Sequence, residues 1–378
     1  MKTISRLRYF LYFSILIVVS CTTGKRALQK GNFDASVSKA VDRLKSSPKN
    51  AEAMKVLPEA YGFALNDHLR KIDEAKLSSD VLRWETILYH YQALNQLASE
   101  INGCPACLTL VPNPQQFISE AADSKSRAAE ARYVMGQKQL NEGNRASAKN
   151  AYFNFEKAQQ FDPGIKDIKA KMDEAYWAAV IKVVVQPVVV NSTYYKLSSQ
   201  YFQQQVDNFM ANYQRNRFVI FYSEQQASNQ KIVPDQVLSL NFDDFVVGQT
   251  YVKERVEKLK RDSVIIARGR TNDPVYGTVK ATLSIFEKKI TSSGLLALTI
   301  TDWQTRRVLR QQRLAGTYVW QDSWASYKGD ERALNKQQLA MTNRKEMLPP
   351  PPANLFIEFT KPIYSQLVDE INYFYNKY

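Results

Sequence analysis

The sequence is poor in the residues on which most enzyme chemistry depends. Its 378 residues include only two histidines, His68 and His90, and three cysteines. Structural zinc wants four nitrogen and sulfur ligands, and acid–base catalysis most often uses histidine. The phosphate-binding patterns GxxxxGK(S/T) and GxGxxG and the nucleophile motif GxSxG do not occur. We therefore expect no metal site, no cofactor and no enzyme activity, with both histidines packed or at the surface.

The chain also lacks, after its first twenty residues, any apolar run of the roughly 20 residues that a membrane-spanning helix needs. The start is different, because Lys2, Arg6 and Arg8 precede a short apolar run over residues 9–19. A positive segment followed by a short apolar one is typical of a secretory signal peptide. We predict that residues 1–20 are such a signal peptide.

The signal is followed by Val18-Val19-Ser20-Cys21, which resembles the lipobox of bacterial lipoproteins. The resemblance implies cleavage before Cys21 and attachment of diacylglyceryl and palmitate-type acyl chains to that residue. Thr22 stands where inner-membrane lipoproteins carry aspartate, which favours the outer membrane. We expect the protein to be anchored on the periplasmic side of this membrane, with the cell surface as the alternative. An ordinary cleaved signal with an incidental cysteine is the competing interpretation.

Two stretches of the N-terminal half resemble the tetratricopeptide repeat, a pair of helices packed through small residues. In the first, Gly31 marks a tight turn before Phe33, Ala40 and Leu44 share one helical face, and Pro48 ends the unit. About three repeats are needed to bury a continuous core. The resemblance therefore implies further helices between the two copies.

The second copy runs from about Gly143 to Pro163, a longer interval that makes it degenerate. Between the copies, apolar residues at a 3/4 spacing predict one long amphipathic helix. They are Val81, Trp84, Ile87, Leu88, Tyr91, Leu94 and Leu97. We predict a tetratricopeptide-like helical domain over residues 21–178.

Near residue 180 the apolar period changes from about 3.6 to about 2, which predicts a second domain over residues 179–378. The predicted strands cover residues 183–190, 217–222, 244–254, 275–290, 295–302 and 308–320. Thr291-Ser292-Ser293-Gly294 predicts a turn between two of them. Helices are predicted over residues 197–213 and 362–375. This order indicates a mixed α+β domain with an antiparallel sheet.

Part of this domain resembles, in outline, the curli-secretion-channel and penicillin-binding-protein-activator lipoproteins of the outer membrane. The resemblance is carried by Arg217-Phe218-Val219-Ile220 and by a late strand pair with Gly294 and Asp302. It implies a domain that begins strand, helix, strand, and it concerns fold more than function.

Cys104 and Cys107 form a CxxC motif, which is catalytic in thioredoxin-like proteins. In that fold a strand leads into the motif, whereas here a helical pattern and Asn102-Gly103 precede it. In an oxidising compartment a local disulfide that clamps the turn is therefore expected. A reduced or metal-binding pair and a redox-active pair are the alternatives.

A possible binding surface lies in the C-terminal half, where aromatic and basic residues are concentrated. Its candidate residues are Trp320, Trp324, Tyr327, Arg306, Arg307 and Arg310, with Arg313 nearby. The net charge of the chain is +14, and most of the excess lies in this half. The expected anionic partners of an exported protein are lipid headgroups and peptidoglycan, not nucleic acid. The alternative interpretations are that the aromatic residues belong to the core and that the basic surface is solvated and has no dedicated ligand.

These features favour a non-enzymatic, lipid-anchored scaffold or assembly factor of the cell envelope that binds proteins through its helical repeats. The rival hypothesis is an enzyme that acts on glycans or peptidoglycan through carboxylates such as Asp330 and Glu331. Glycosidases need two carboxylates about 5–10 Å apart in a cleft.

Overall fold

The computed structural model describes residues 24–190 and 196–378. The predicted signal peptide and the predicted lipidation site Cys21 lie outside the described residues. The chain divides between Ala179 and Val180 into two compact units, one residue from the predicted boundary. We call residues 24–179 the helical unit and residues 180–378 the sheet unit. None of the described helices combines the length and the apolar character that a membrane span requires.

The described part of the helical unit consists of eight helices. They are α1 (Lys25–Gln29), α2 (Phe33–Ser46), α3 (Ala51–Leu77), α4 (Arg83–Asn102), α5 (Pro105–Leu108), α6 (Ile118–Leu140), α7 (Arg145–Phe161) and α8 (Ile168–Ala179). Asparagine caps begin two of them, because Asn50 accepts a hydrogen bond from the backbone N–H of Ala53 and Asn144 from that of Ser147. Each cap satisfies a donor that the first helical turn leaves free.

Each long helix packs against the next one along the chain. The pairs in contact are α2 with α3, α3 with α4, α4 with α6, α6 with α7, and α7 with α8. The long helix predicted from the 3/4 spacing is confirmed as α4, because five of its seven predicted apolar positions are buried. They are Ile87, Leu88, Tyr91, Leu94 and Leu97. The helical prediction for the N-terminal half is therefore correct.

The sheet unit contains six strands and four α-helices in its described part. They are β1 (Ile181–Val185), β2 (Val189–Val190), α9 (Lys196–Ala211), β3 (Val219–Ser223), α10 (Glu224–Asn229), β4 (Gln236–Arg268), β5 (Pro274–Asp302), β6 (Val308–Gly329), α11 (Lys336–Thr342) and α12 (Pro352–Tyr375). The strand order is β3-β1-β4-β5-β6, and β2 pairs with β4. β1 runs parallel to β3 and β4, while β4, β5 and β6 are antiparallel.

The last three strands are much longer than the periodicity predicted. β4 and β5 stay paired from Gln236 opposite Asp302 to Arg268 opposite Pro274. The predicted turn at Thr291-Ser292-Ser293-Gly294 is wrong, because these residues lie in the middle of β5 and pair with β6. The turn occurs instead at residues 269–273, at the far end of the hairpin.

β5 buries opposite faces of the sheet at its two ends. Near the strand's end the even-numbered residues Leu296, Leu298 and Ile300 pack in a core with α9 and α12. Near the start of the strand the odd-numbered residues Ala281, Leu283 and Ile285 are buried instead. They pack with Leu334 and Met341, which follow β6 in the chain. We call the first side the helix face and the second the outer face. Residues directly opposite each other on paired strands share a face.

α12 lies close to the sheet because two glycines face it. Gly294 and Gly316 are paired across β5 and β6. A Cβ atom on Gly316 would lie 2.2 Å from the carbonyl oxygen of Phe359, and one on Gly294 would lie 2.6 Å from the Phe359 ring. The absence of side chains at this pair therefore sets how near the helix can approach.

Candidate functional site

Three helices of the helical unit meet at a buried polar cluster. Nδ1 of His68 in α3 lies 2.8 Å from Nδ1 of His90 in α4. Nε2 of His68 lies 3.0 and 3.1 Å from the two carboxylate oxygens of Asp34 in α2. His68 and His90 are only 4% and 8% exposed. The two histidines of the chain are thus packed, as expected, and they are also in contact with each other.

The geometry of this cluster restricts its proton arrangement. A hydrogen bond between two Nδ1 atoms requires one imidazole to donate its N–H and the other to accept with its lone pair. Burial lowers the pKa of His90 below its ordinary value of 6.5, and the charges of His68 and Lys71 lower it further. His90 is therefore held neutral at pH 7. No group of three His, Cys, Asp or Glu side chains in the described residues is arranged to hold a metal ion.

The CxxC motif lies at the end of the α4 helix, in a turn. The structure joins Cys104 and Cys107 in a disulfide, and Cys104 also caps α5, accepting from the backbone N–H of Cys107. Both are at most 1% exposed and pack with the α2–α3 core. An inaccessible sulfur pair at a helix end is suited to a structural clamp, since disulfide exchange needs access by an attacking thiolate.

The sheet unit has a polar cleft where the parallel strands β1 and β3 end. It has a volume of about 480 Å³ and is lined in part by Asp207, Asn208, Tyr222, Gln226 and Gln230. Carboxylate and amide groups beside an aromatic ring provide the hydrogen bonds and the stacking surface that a polar ligand needs. Carboxyl ends of parallel strands are a common place for ligands in α/β proteins. No pattern in the sequence indicates this cleft, because its residues come from three separate segments.

A second groove of about 400 Å³ lies on the outer face beside α10. Its wall is largely apolar and includes Val184, Ala227, Ile232, Val237 and Trp303. The only charged side chains in its lining are Glu224 and Lys231. This groove fits an apolar side chain of a partner better than a charged ligand.

The predicted aromatic residues do not form one surface. Trp320 and Trp324 lie on the helix face, where Trp324 stacks on Phe286 with ring centres 5.5 Å apart. Tyr327 lies on the outer face, opposite Leu283, and packs in the cluster beneath α11. All three are half-buried. The strand alternation thus separates Tyr327 from the two tryptophans.

The predicted basic residues are also dispersed. The guanidinium of Arg306 lies 4.0 Å from the ring centre of Trp303 in the β5–β6 turn, next to the exposed Arg307. Arg310 points to the helix face and forms an ion pair with Glu370 of α12, 2.5 Å apart. Arg313 lies on the other face, 3.4 Å from Asp243. Only Arg306 and Arg307 remain together as a small basic patch.

The carboxylates named for enzyme chemistry lie in an exposed turn after β6. Hydrogen bonds from the Arg332 side chain and backbone lower the pKa of Asp330 to about 2. A carboxyl group with so low a pKa carries no proton at neutral pH and cannot act as a general acid. Glu331 is exposed and accepts a 3.3 Å hydrogen bond from the hydroxyl of Tyr327.

Comparison with known proteins gives little to set beside this geometry. No family model matches the chain, and no curated protein matches it. Among solved structures it is similar to a crystal structure described as a neuraminyllactose-binding hemagglutinin homolog from Helicobacter pylori. The two are 12% identical with a TM-score of 0.25, over 52% of this chain and 86% of that chain.

Proposed function

We propose that the chain is a non-enzymatic, lipid-anchored scaffold or assembly factor of the bacterial envelope, which binds partner proteins through its helical unit. The observation that carries this proposal is the packing of each long helix against its neighbour along the chain. Such nearest-neighbour packing is the arrangement of helical-repeat proteins, whose extended surfaces bind other proteins.

Local features support a tetratricopeptide-like origin for the helical unit. Gly31 and Gly143 occupy equivalent places before α2 and α7, with φ angles of 73° and 68° that favour glycine. Several buried residues of these helices are small. In and around the first copy they include Ala40, Ala53, Ala60 and Ala64, and near the second Gly136, Ala148, Ala151 and Ala158. Buried small residues allow helix backbones to approach closely.

The helical unit also exposes large apolar side chains that a partner could cover. Phe63 of α3 is 47% exposed and Tyr89 of α4 is 61% exposed. Protein interfaces are enriched in aromatic residues, and charged residues are depleted at the centre of an interface. We infer that these two residues belong to the surface through which the unit binds.

The experiment is capture of partners by the full chain from detergent-solubilised envelopes. A partner recovered in stoichiometric amount should be lost with the Phe63→Ser/Tyr89→Ser variant and kept with Val308→Ser. Val308 is a matched control because it is similarly exposed, at 51%, but lies in the sheet unit. Equal recovery with both variants would refute binding through the helical unit.

The anchor in this proposal is Cys21, which we place on the periplasmic side of the outer membrane. Several acyl chains give stable anchoring, because each buried CH₂ contributes about 0.8 kcal/mol. Cys21→Ser should leave the signal uncleaved or release the protein from membranes. A Cys21→Ser variant that is processed and still fractionates with outer membranes would contradict the anchor. With Cys21 anchored, the basic sheet unit would meet anionic lipid or peptidoglycan close to that membrane.

The alternative function is an enzyme that acts on glycans or peptidoglycan. One observation favours it, the polar cleft with Asp207 at the ends of β1 and β3. The cleft lining contains a single carboxylate, whereas glycoside hydrolysis uses two. Hydrolysis of purified peptidoglycan that is lost in Asp207→Asn or Glu331→Gln would establish this function and displace the scaffold.

A further inference from the structure

The edge of β4 that faces away from β5 has no partner strand over most of its length. β1 pairs with β4 only at residues 236–238, and β2 only at residues 241–242. From Asp243 to Arg268 no other strand of the described chain lies on that side. Between Gln249 and Arg261 the pairing with β5 has no register shift, so this part of the edge is regular. A long regular edge presents backbone N–H and C=O groups to a further strand.

We propose that two copies of this chain pair antiparallel through the β4 edge, about a two-fold axis at Val256. The segment Glu254-Arg255-Val256-Glu257-Lys258 is complementary in charge to its own reverse. With Val256 opposite itself, Glu254 lies opposite Lys258 of the second copy, and Arg255 lies opposite Glu257. The symmetry repeats both pairs, so four ion pairs surround one apolar contact. Opposite charges directly across two strands stabilise their pairing.

The neighbouring registers are unfavourable. Paired residues of an antiparallel sheet must share a face, so the axis can only pass through a residue and a slip moves it to the next one. An axis at Arg255 would place two arginines opposite each other. An axis at Glu257 would place two glutamates opposite each other and Lys253 opposite Arg261. Like charges directly opposite are destabilising, so the sequence selects Val256.

The regular part of the free edge agrees with this register. With the axis at Val256, Tyr251 lies opposite Arg261 of the second copy, so the segment between them, which has no register shift, pairs along its whole length. The side chains that would meet are accessible, since Val256 is 56% exposed and Glu254 and Lys258 are also exposed. Arg255 and Glu257 already lie 3.0 Å apart on one face of the strand, near their proposed partners. The same symmetric patch serves both copies, as in a closed two-fold dimer.

Charge reversal tests the proposal on the full chain purified in detergent, with the protein mass measured by analytical ultracentrifugation. Glu254→Lys and Lys258→Glu each place like charges together twice in the dimer, so each should weaken dimerisation at least about tenfold. The combined Glu254→Lys/Lys258→Glu variant restores both pairs and should dimerise like the wild type. A wild type that stays monomeric up to about 100 μM would overturn the proposal, and so would single variants that dimerise unchanged. The charges of β4 would then only protect the edge from association.

Cysteine cross-linking tests the register independently of affinity. Two residues at the axis have Cα atoms about 4.5–5.5 Å apart, within the range of a disulfide. Val256→Cys should therefore form a covalent dimer on mild oxidation. Val252→Cys is the matched control, because Val252 is 59% exposed but would lie roughly 27 Å from its copy, eight residues along the strand. Equal cross-linking of the two variants, or none with Val256→Cys, would refute the register. Wild-type protein run in parallel corrects for any cross-linking through the native cysteines.

Discussion

Replacing Gly316 by alanine should destabilise the sheet unit strongly, because it puts an atom where α12 already lies. The new Cβ would be 2.2 Å from the carbonyl oxygen of Phe359 and 2.6 Å from Cγ1 of Ile363. Real Cβ atoms essentially never lie closer than 3.0 Å to such neighbours, so the helix must move by at least 0.8 Å, the difference between the two distances. Phe356, Phe359 and Ile363 are completely buried and resist that movement.

The size of the effect follows from the rigidity of the obstacle. Overpacking a core costs about 1–3 kcal/mol, and a clash with backbone belongs at the upper end, near 3 kcal/mol. That loss changes the ratio of folded to unfolded protein by roughly 100-fold. Gly294→Ala meets the Phe359 ring instead of the backbone. A ring can rotate, so we expect a smaller loss of about 1–2 kcal/mol.

Urea unfolding followed by circular dichroism and tryptophan fluorescence measures these free energies. Ala315→Val is the matched control, since Ala315 directly precedes Gly316 in β6 and is exposed on the opposite face. We expect it to stay within about 0.5 kcal/mol of the wild type. If Gly316→Ala also unfolds within that margin, or if Gly294→Ala is the more damaging change, α12 does not rest on this glycine pair.

Three further predictions concern contacts in both units. Because the pKa of His90 is lower in the folded chain than its ordinary 6.5, the unfolded chain binds this proton at a higher pH than the folded chain does. The free energy of unfolding should therefore decrease as the pH is lowered below about 6.5. His90→Gln should flatten that dependence in urea melts at pH 7.5 and 5.5, and an equally steep slope would contradict it. Cys104→Ser/Cys107→Ser should cost about 2 kcal/mol from the short loop that the disulfide closes, and the wild type should be two hydrogens lighter than the dithiol by intact mass. A double-mutant cycle on Arg310 and Glu370 should give a coupling of about 1 kcal/mol, since both side chains are partly buried; zero coupling would show that the pair is solvated.

The sequence predicted the kinds of element well where their pattern is local. The 3/4 spacing around Leu94 depends only on the helix's own geometry, and α4 forms as expected. The change of period near residue 180 likewise marks where strands begin. These signals need no knowledge of what lies opposite in the fold.

The errors arose where distant packing decides the structure. Thr291-Ser292-Ser293-Gly294 has the composition of a turn, yet Ser292 is 1% exposed, and its hydroxyl oxygen accepts a hydrogen bond from the backbone N–H of Gly248. Gly294 is needed for α12, which lies far away in sequence. The buried face of β5 also changes along the strand, so a single alternation could not reveal its full length. The pairing of His68 with His90 depends on how three helices meet, and no spacing in the sequence encodes it.

The position of α12 has a consequence for how the sheet unit acquires its structure. This helix follows the six described strands along the chain, yet it supplies Phe356, Phe359, Ile363, Leu367 and Ile371 to the core that also holds β1 and α9. Contacts between residues so distant in sequence slow folding, because chain entropy must be lost before they form. Until α12 has been synthesised, the apolar side of the long strands is covered only in part, by α9. The core therefore forms as a whole only when α12 is present, and removal of this helix should leave strands that aggregate.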